Sequence, residues 1–250
     1  MNSGFVRRLA IGFALWLGCG VAVCQAVSFN VTLDITPLAT QPTPPNPFAL
    51  EFQFNDGDGT VVNTITLRNF DFGGGSATGS PTFNCTAGSG PSCTGIAGSL
   101  ASTVTMTDSS DPFNEFSQRF TPADGAPLKF VLDLGTPRVE PSTPDSFSLA
   151  IFDSSGVGIP TSFFDVFVQI DLANPPVVRT FPSTSTLPPP SCPTCPGIAI
   201  SAPLLQPITA IPEPGTLGLL GIGLALAWWR PRVSSRRGSG NSFGATQERR

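Results

Sequence analysis

Phe48-Ala49-Leu50-Glu51-Phe52-Gln53-Phe54 decides the fold class. Apolar and smaller or polar side chains alternate strictly, so the four large residues share one face of an extended strand. Ala49, Glu51 and Gln53 share the other. No helix holds this pattern, because a period of 3.6 would scatter the phenylalanines around its axis. The same period of two recurs outward in both directions. Phe29-Val31-Leu33-Ile35 lies before it. Ile65-Leu67 leading to Phe70 and Phe72, then Leu100 to Met106, then Phe116 and Phe120, lie after it. Phe130-Leu132-Leu134, Phe147-Leu149-Ile151 and Phe163 to Ile170 complete eight candidate strands. Turn-forming residues punctuate them: Asn55-Asp56-Gly57-Asp58-Gly59 as a hairpin turn, Gly73 to Pro81 as a flexible loop, and Asp153 to Gly156. Pro37 to Pro47 reads as an extended connection. Short strands at this spacing predict an all-β ectodomain over residues 27–171, a β-sandwich of jelly-roll type.

Residues 172–210 change character. Ten of these 39 residues are proline, including Pro188-Pro189-Pro190. The composition predicts a polyproline-like stalk or linker, which fully extended would reach about 120 Å. At the other end, residues 1–26 read as a secretory signal peptide: Arg7 and Arg8, an apolar run from Leu9 to Val23, and small residues before a cut after Ala26.

Residues 211–237 read IPEPGTLGLLGIGLALAWWRPRVSSRR. Leu217 to Trp229 has no charged or polar side chain. Arg230, Arg232, Arg236 and Arg237 follow at once as a stop-transfer flank. Those apolar residues span only about 20 Å as a helix, so the expected transmembrane segment is the longer 211–229. Residues 238–250 are polar and basic and are expected to be a disordered tail. Pro212-Glu213-Pro214, the Gly/Leu-rich run and the arginines, in that order, resemble the PEP-CTERM sorting signal of exported bacterial proteins. The resemblance implies processing by an exosortase, a membrane-embedded enzyme, and residence at the cell surface or in extracellular polysaccharide. It implies inner-membrane anchoring through the tail before processing. Phe52 to Thr60 and Phe70 to Ala77 also resemble stretches of the globular part of some such proteins.

Charge and composition exclude much else. The overall charge of −4 hides a split. Val27 to Ala210 carries 5 Lys/Arg and 15 Asp/Glu, 5 − 15 = −10, whereas Arg230 to Arg250 carries 6 Arg and 1 Glu, 6 − 1 = +5. The acidic middle would repel nucleic acid. The chain has no His, which removes Ser-His-Asp and Cys-His catalysis and histidine metal ligands. It has no Tyr, and its three Trp lie in the terminal apolar segments, so Phe is the aromatic of the exported region.

Four cysteines remain after signal removal. Cys85 and Cys93 flank a Gly/Ser-rich loop and are expected to form a disulfide in an oxidising compartment. Cys192 and Cys195 form a C-x-x-C among prolines, expected to be a local disulfide or free rather than a redox or zinc centre. Asp56 and Asp58 faintly resemble a calcium loop, but Phe54 and Ile65 stand where oxygen ligands belong, so a plain turn is expected. Glu51, Glu115 and Glu140 are unpaired along the sequence and read as solvated surface rather than as a glycosidase pair. No cofactor and no metal is expected. The expected function is that of a non-enzymatic exported surface protein, with a carbohydrate-binding or adhesive module as the alternative.

Overall fold

The computed structural model describes residues 27–41, 47–109, 111–135, 142–184 and 197–208. Two antiparallel sheets stack as a β-sandwich. The strands are β1 (Ser28–Leu33), β2 (Phe48–Asn55), β3 (Thr64–Asp71), β4 (Ser76–Cys85), β5 (Gly88–Ser89), β6 (Ile96–Gly98) and β7 (Thr103–Thr107). They continue as β8 (Phe113–Thr121), β9 (Leu128–Asp133), β10 (Ser146–Phe152), β11 (Val166–Asp171), β12 (Val177–Thr180) and β13 (Leu204–Pro207). One sheet has six strands in the order β13-β1-β9-β3-β7-β6. The other has seven, in the order β12-β11-β10-β2-β8-β4-β5.

The alternation of β2 does what its sequence demands. Phe48, Leu50, Phe52 and Phe54 are completely buried, and Ala49, Glu51 and Gln53 lie on the outer face. Sheet pairing puts Phe52 opposite Phe116 on β8 and Leu149 on β10. The Phe52 ring lies within 6.2 Å of the rings of Phe70, Phe116, Phe130 and Phe147, and so joins the two sheets. Phe supplies the aromatic share of this core beside Leu, Ile and Val, and unlike Tyr or Trp it asks for no hydrogen-bond partner when buried. At Asn69 the backbone turns to φ 60°, and the β3–β9 register shifts between Arg68 and Asp71. This bulge delivers Phe70 and Phe72 in succession to the core cluster.

All eight expected strand regions contain a strand, and the structure corrects four boundaries. Ser76 to Pro81, read as flexible loop, belongs to β4. That strand carries an irregularity between Thr78 and Thr82, where Gly79 takes φ 65° and its carbonyl accepts the amide of buried Gln118. Thr36–Ala39, at the head of the expected extended connection, forms a one-turn helix (α1) with Pro37 near its start. The stalk reading of 172–210 fails at both of its described ends. β12 pairs with β11, β13 pairs with β1, and Ile198 and Ile200 are buried in the core. β12 contains no proline, and Pro207 at the end of β13 lies on an edge strand, where a missing N–H donor costs little. The sandwich therefore extends past residue 171 to Ile208, whose N–H donates to the Ser28 carbonyl at 2.8 Å. Residues 185–196 lie outside the described residues, as do the signal peptide, the span at 211–229 and the tail at 238–250. Among the described residues no helix is long and apolar enough to cross a membrane.

Candidate functional site

Three features of the described residues carry functional chemistry: a buried carboxylate cluster at one end of the sandwich, a carboxylate pair on the outer face of the seven-stranded sheet, and a cavity beside the disulfide.

The cluster comprises Asp56, directly after β2, Asp108, directly after β7, and Asp145, directly before β10. One oxygen of each lies within 4.8 Å of the others. The chain is drawn tight here. A side chain at Gly57 would collide with the Thr143 carbonyl, so only glycine lets the Asp56 loop press against the segment leading to Asp145. Asp145 Oδ1 accepts the Gly57 N–H at 2.9 Å, and Oδ2 accepts Asn63 Nδ2 at 2.6 Å. The Asn63 N–H donates to Asp108 Oδ1 at 2.9 Å. Burial, and then a hydrogen bond with Asp145, raise the Asp108 carboxyl from its ordinary 3.8 to about 7. The backbone N–H of Asn63 opposes the rise by favouring the anion. A hard cation such as Ca²⁺ wants six or more oxygens. These carboxylates already accept N–H donors, and burial beside Asp145 favours a proton on Asp108. The arrangement is a hydrogen-bonded cluster that ties strand ends together rather than an open cation site. The Asp56–Asp58 reading does not describe it, since Asp58 turns away to accept Thr60 and Ser142 hydroxyls, each at 2.6 Å.

The second feature corrects the reading of Glu51 and Glu115 as separate solvated groups. Register places Gln53 opposite Glu115, with Glu51 two positions away on the same face. Gln53 Nε2 donates to Glu51 Oε1 at 2.8 Å and stands 3.5 Å from Glu115 Oε2. Asn84 Nδ2 donates to Glu115 Oε1 at 2.6 Å. Burial, and then the Glu115 charge, raise the Glu51 carboxyl from 4.5 to about 7. Two neighbouring carboxyls on one face are the parts of a retaining glycosidase. Here, however, the Gln53 amide occupies the space between them where a sugar carbon would have to stand. Glu140 lies outside the described residues.

The third feature is a cavity of about 510 Å³. It lies where β4 outruns its short partner β5, so its walls are Pro81 to Asn84 on one side and Ser89 to Pro91 on the other. The Cys85–Cys93 disulfide is formed as expected, with a Cα–Cα distance of 5.6 Å, and pins that second wall. Cys192 and Cys195 lie outside the described residues.

Asp108, Asp145, Asn63, Gln53 and Asn84 carry no sequence signal as site residues. They meet only because the strand order places β2 between β10 and β8, and β7 at the same end of the facing sheet.

Comparison with known proteins gives one result. Residues 210–232 match the PEP-CTERM protein-sorting motif. No curated protein and no solved structure matches the chain. The match covers Pro212, Glu213, Pro214, Arg230 and Arg232. These lie outside the described residues, together with Arg236 and Arg237.

Proposed function

We propose that this chain, which carries a PEP-CTERM sorting motif and so is an exosortase-targeted exported protein, is a non-enzymatic structural component of the cell surface or extracellular matrix. The motif at residues 210–232 carries the reading. The tail from Ile211 is then a temporary inner-membrane anchor through 211–229, held by Arg230, Arg232, Arg236 and Arg237, and the processed sandwich is the mature product. The finer fold assignment is jelly-roll, supported by chain crossings between the sheets at eight of the twelve strand-to-strand connections. A non-enzymatic role is supported by the lack of any histidine and by the amide lodged between Glu51 and Glu115.

The test follows two epitopes, one in the sandwich and one after Arg237, in cells with and without the exosortase. Separation of the tags only in its presence is expected. Replacing Pro212-Glu213-Pro214 by three alanines is expected to leave full-length protein in the inner membrane. Normal release of that variant would show the motif to be incidental.

A second reading is a carbohydrate-binding module of the extracellular polysaccharide. One observation favours it: the polar outer face of the seven-stranded sheet, which runs up to a cavity of about 510 Å³, a volume typical of small-ligand sites.

A further inference from the structure

We infer that the aromatic bulge between β10 and β11 binds a neutral, β-linked pyranose chain by stacking a sugar ring on Phe164. The inference rests on the carbohydrate-binding reading above and adds the class of sugar and its place. The bulge is built into the sheet. Along β10, Ala150 opposes Val166, while the next residue, Ile151, accepts the N–H of Ile159 at 2.8 Å. Residues 160–165 are therefore extruded between neighbouring ladder positions. Thr161 pins them. Its N–H donates to the Phe164 carbonyl at 2.6 Å, and its hydroxyl reaches the carbonyls of Phe164 and Val166 at 3.0 and 2.8 Å. Its Oγ1 accepts the Phe163 N–H at 3.1 Å. This clamp holds Phe164 at φ 54°, a left-handed conformation that a bulky side chain rarely adopts. The side chain held there is 81% exposed, so burial does not offset the strain. Strain kept by its surroundings at an exposed residue points to a working position.

Three rings meet in the bulge. Phe163 stacks on Phe181 with centroids 5.0 Å apart, and Phe164 stands edge-on to Phe163 at 5.4 Å. Phe164 is thus braced by its neighbour and keeps most of its ring for a ligand. The group stands on the outer face of the seven-stranded sheet. Thr180 opposes the core residue Val168 and Arg179 opposes Gln169, so Phe181 shares the outer face with Arg179, about 7 Å further along the chain. Register carries that face from Arg179 through Gln169 and Ser148 to Gln53. The rings therefore rise from a face whose floor offers guanidinium, amide and hydroxyl groups to the hydroxyls of a sugar chain.

Area and charge choose among occupants. Phe163 is 40% exposed, and with Phe164 it offers roughly 250 Å² of aromatic side chain. A stable protein partner or a second copy of this chain needs about 800 Å² on each side. The bulge carries Asp165 and no Lys or Arg, and Asp165 lies close enough to Glu51 for the two charges to repel. Anionic lipid, which recruits basic segments, is thereby disfavoured. A pyranose with equatorial hydroxyls fits what is left. Its face is a sheet of axial C–H bonds, suited to a ring without a polar group, and its rim is all hydroxyl.

The experiment uses the secreted, disulfide-bonded protein and two probes, cellohexaose and xylohexaose, both neutral and β-linked. Each is titrated by nuclear magnetic resonance. The expected result is binding, with chemical-shift changes at Phe163, Phe164 and Phe181. Phe164→Gly should weaken binding about tenfold. Glycine adopts φ 54° without strain, so that variant should melt no lower than the unaltered protein. Phe164→Leu keeps an apolar side chain without the flat ring and should weaken binding as much. Full affinity in either variant overturns the inference and leaves the carbohydrate reading standing. So do shift changes confined to residues elsewhere, a reading that holds even if a variant does not fold. Sedimentation of the protein alone and with phosphatidylglycerol vesicles covers the other occupants. A dimer or a vesicle-bound form that Phe164→Gly abolishes, without sugar binding at Phe164, also overturns it. Failure of both oligosaccharides to bind overturns the inference and the carbohydrate reading together.

Discussion

Replacing Asp108 by asparagine should make the sandwich more stable at pH 8 and leave it nearly unchanged at acid pH. The Asp108 carboxyl is raised from 3.8 to about 7 in the folded protein. In the window between those values the folded state holds a proton that the unfolded state has released, so stability falls as pH rises. The contribution is fully present below about pH 4 and is lost by the time pH passes about 7. A shift of roughly three units corresponds to about 4 kcal/mol. Solvent screening at the sandwich's end reduces the expected effect to about 2 kcal/mol. The amide of the substituted side chain would donate to Asp145, and its carbonyl oxygen would accept the Asn63 N–H. Both hydrogen bonds thus keep their partners without a proton to lose. Glu51 titrates in the same direction, likewise through burial first and then through the Glu115 charge, and the E51Q variant separates the two slopes. Urea unfolding at fixed ionic strength measures the change. Far-UV circular dichroism must report it, because the described sandwich contains neither Trp nor Tyr. If D108N loses as much stability as the unaltered protein between about pH 5 and pH 8, the account of a raised Asp108 carboxyl is wrong.

The other expectations concern the core and the staple. C85S/C93S opens a loop with a sequence separation of 8 and should lower stability by roughly 2–3 kcal/mol, read as a lower urea midpoint. Phe52→Ala removes the ring that four others surround and should cost about 3–5 kcal/mol, whereas Phe52→Leu should cost clearly less. Ile200→Ala should cost about 2–4 kcal/mol if the segment packs as part of the sandwich. A linker residue would give a change within about 0.5 kcal/mol in the same unfolding experiment.

What was legible in the sequence was whatever repeats locally. The alternation of β2, β1, β9 and β10 needs only the chain's own period of two and one buried face. β4 was not legible, because Ser76-Ala77-Thr78-Gly79-Ser80-Pro81 has no apolar alternation, and it becomes a strand by lying against β8. β12 and β13 were hidden by proline counting. Composition averages over 39 residues, while Val177–Thr180 and Leu204–Pro207 are short runs clear of the proline cluster. The disulfide was legible because its partners are close in sequence. Neither carboxylate group was. Asp56, Asp108 and Asp145 are separated by dozens of residues, and Glu51 meets Glu115 only through β2–β8 register. Sites assembled by topology leave no spacing pattern to find.

The placement of β13 changes the way the export reading works physically. A stalk would let the sandwich fold as soon as residue 171 emerged. Instead β1 pairs with β13, Phe29 opposite Pro207, so the six-stranded sheet gains its edge strand only when the sequence up to Ile208 is present beside Ser28. That pairing has the longest sequence separation of any in the domain and carries the largest loop-closure entropy. It should therefore be among the last contacts to form. The sorting motif begins at residue 210, almost directly after this strand. Completion of the fold and arrival of the sorting signal are thus tied to the same stretch of chain. A processing cut upstream of Leu204 would strip β13 and leave the β1 edge open to pairing with other chains. A cut within the motif leaves the sandwich whole.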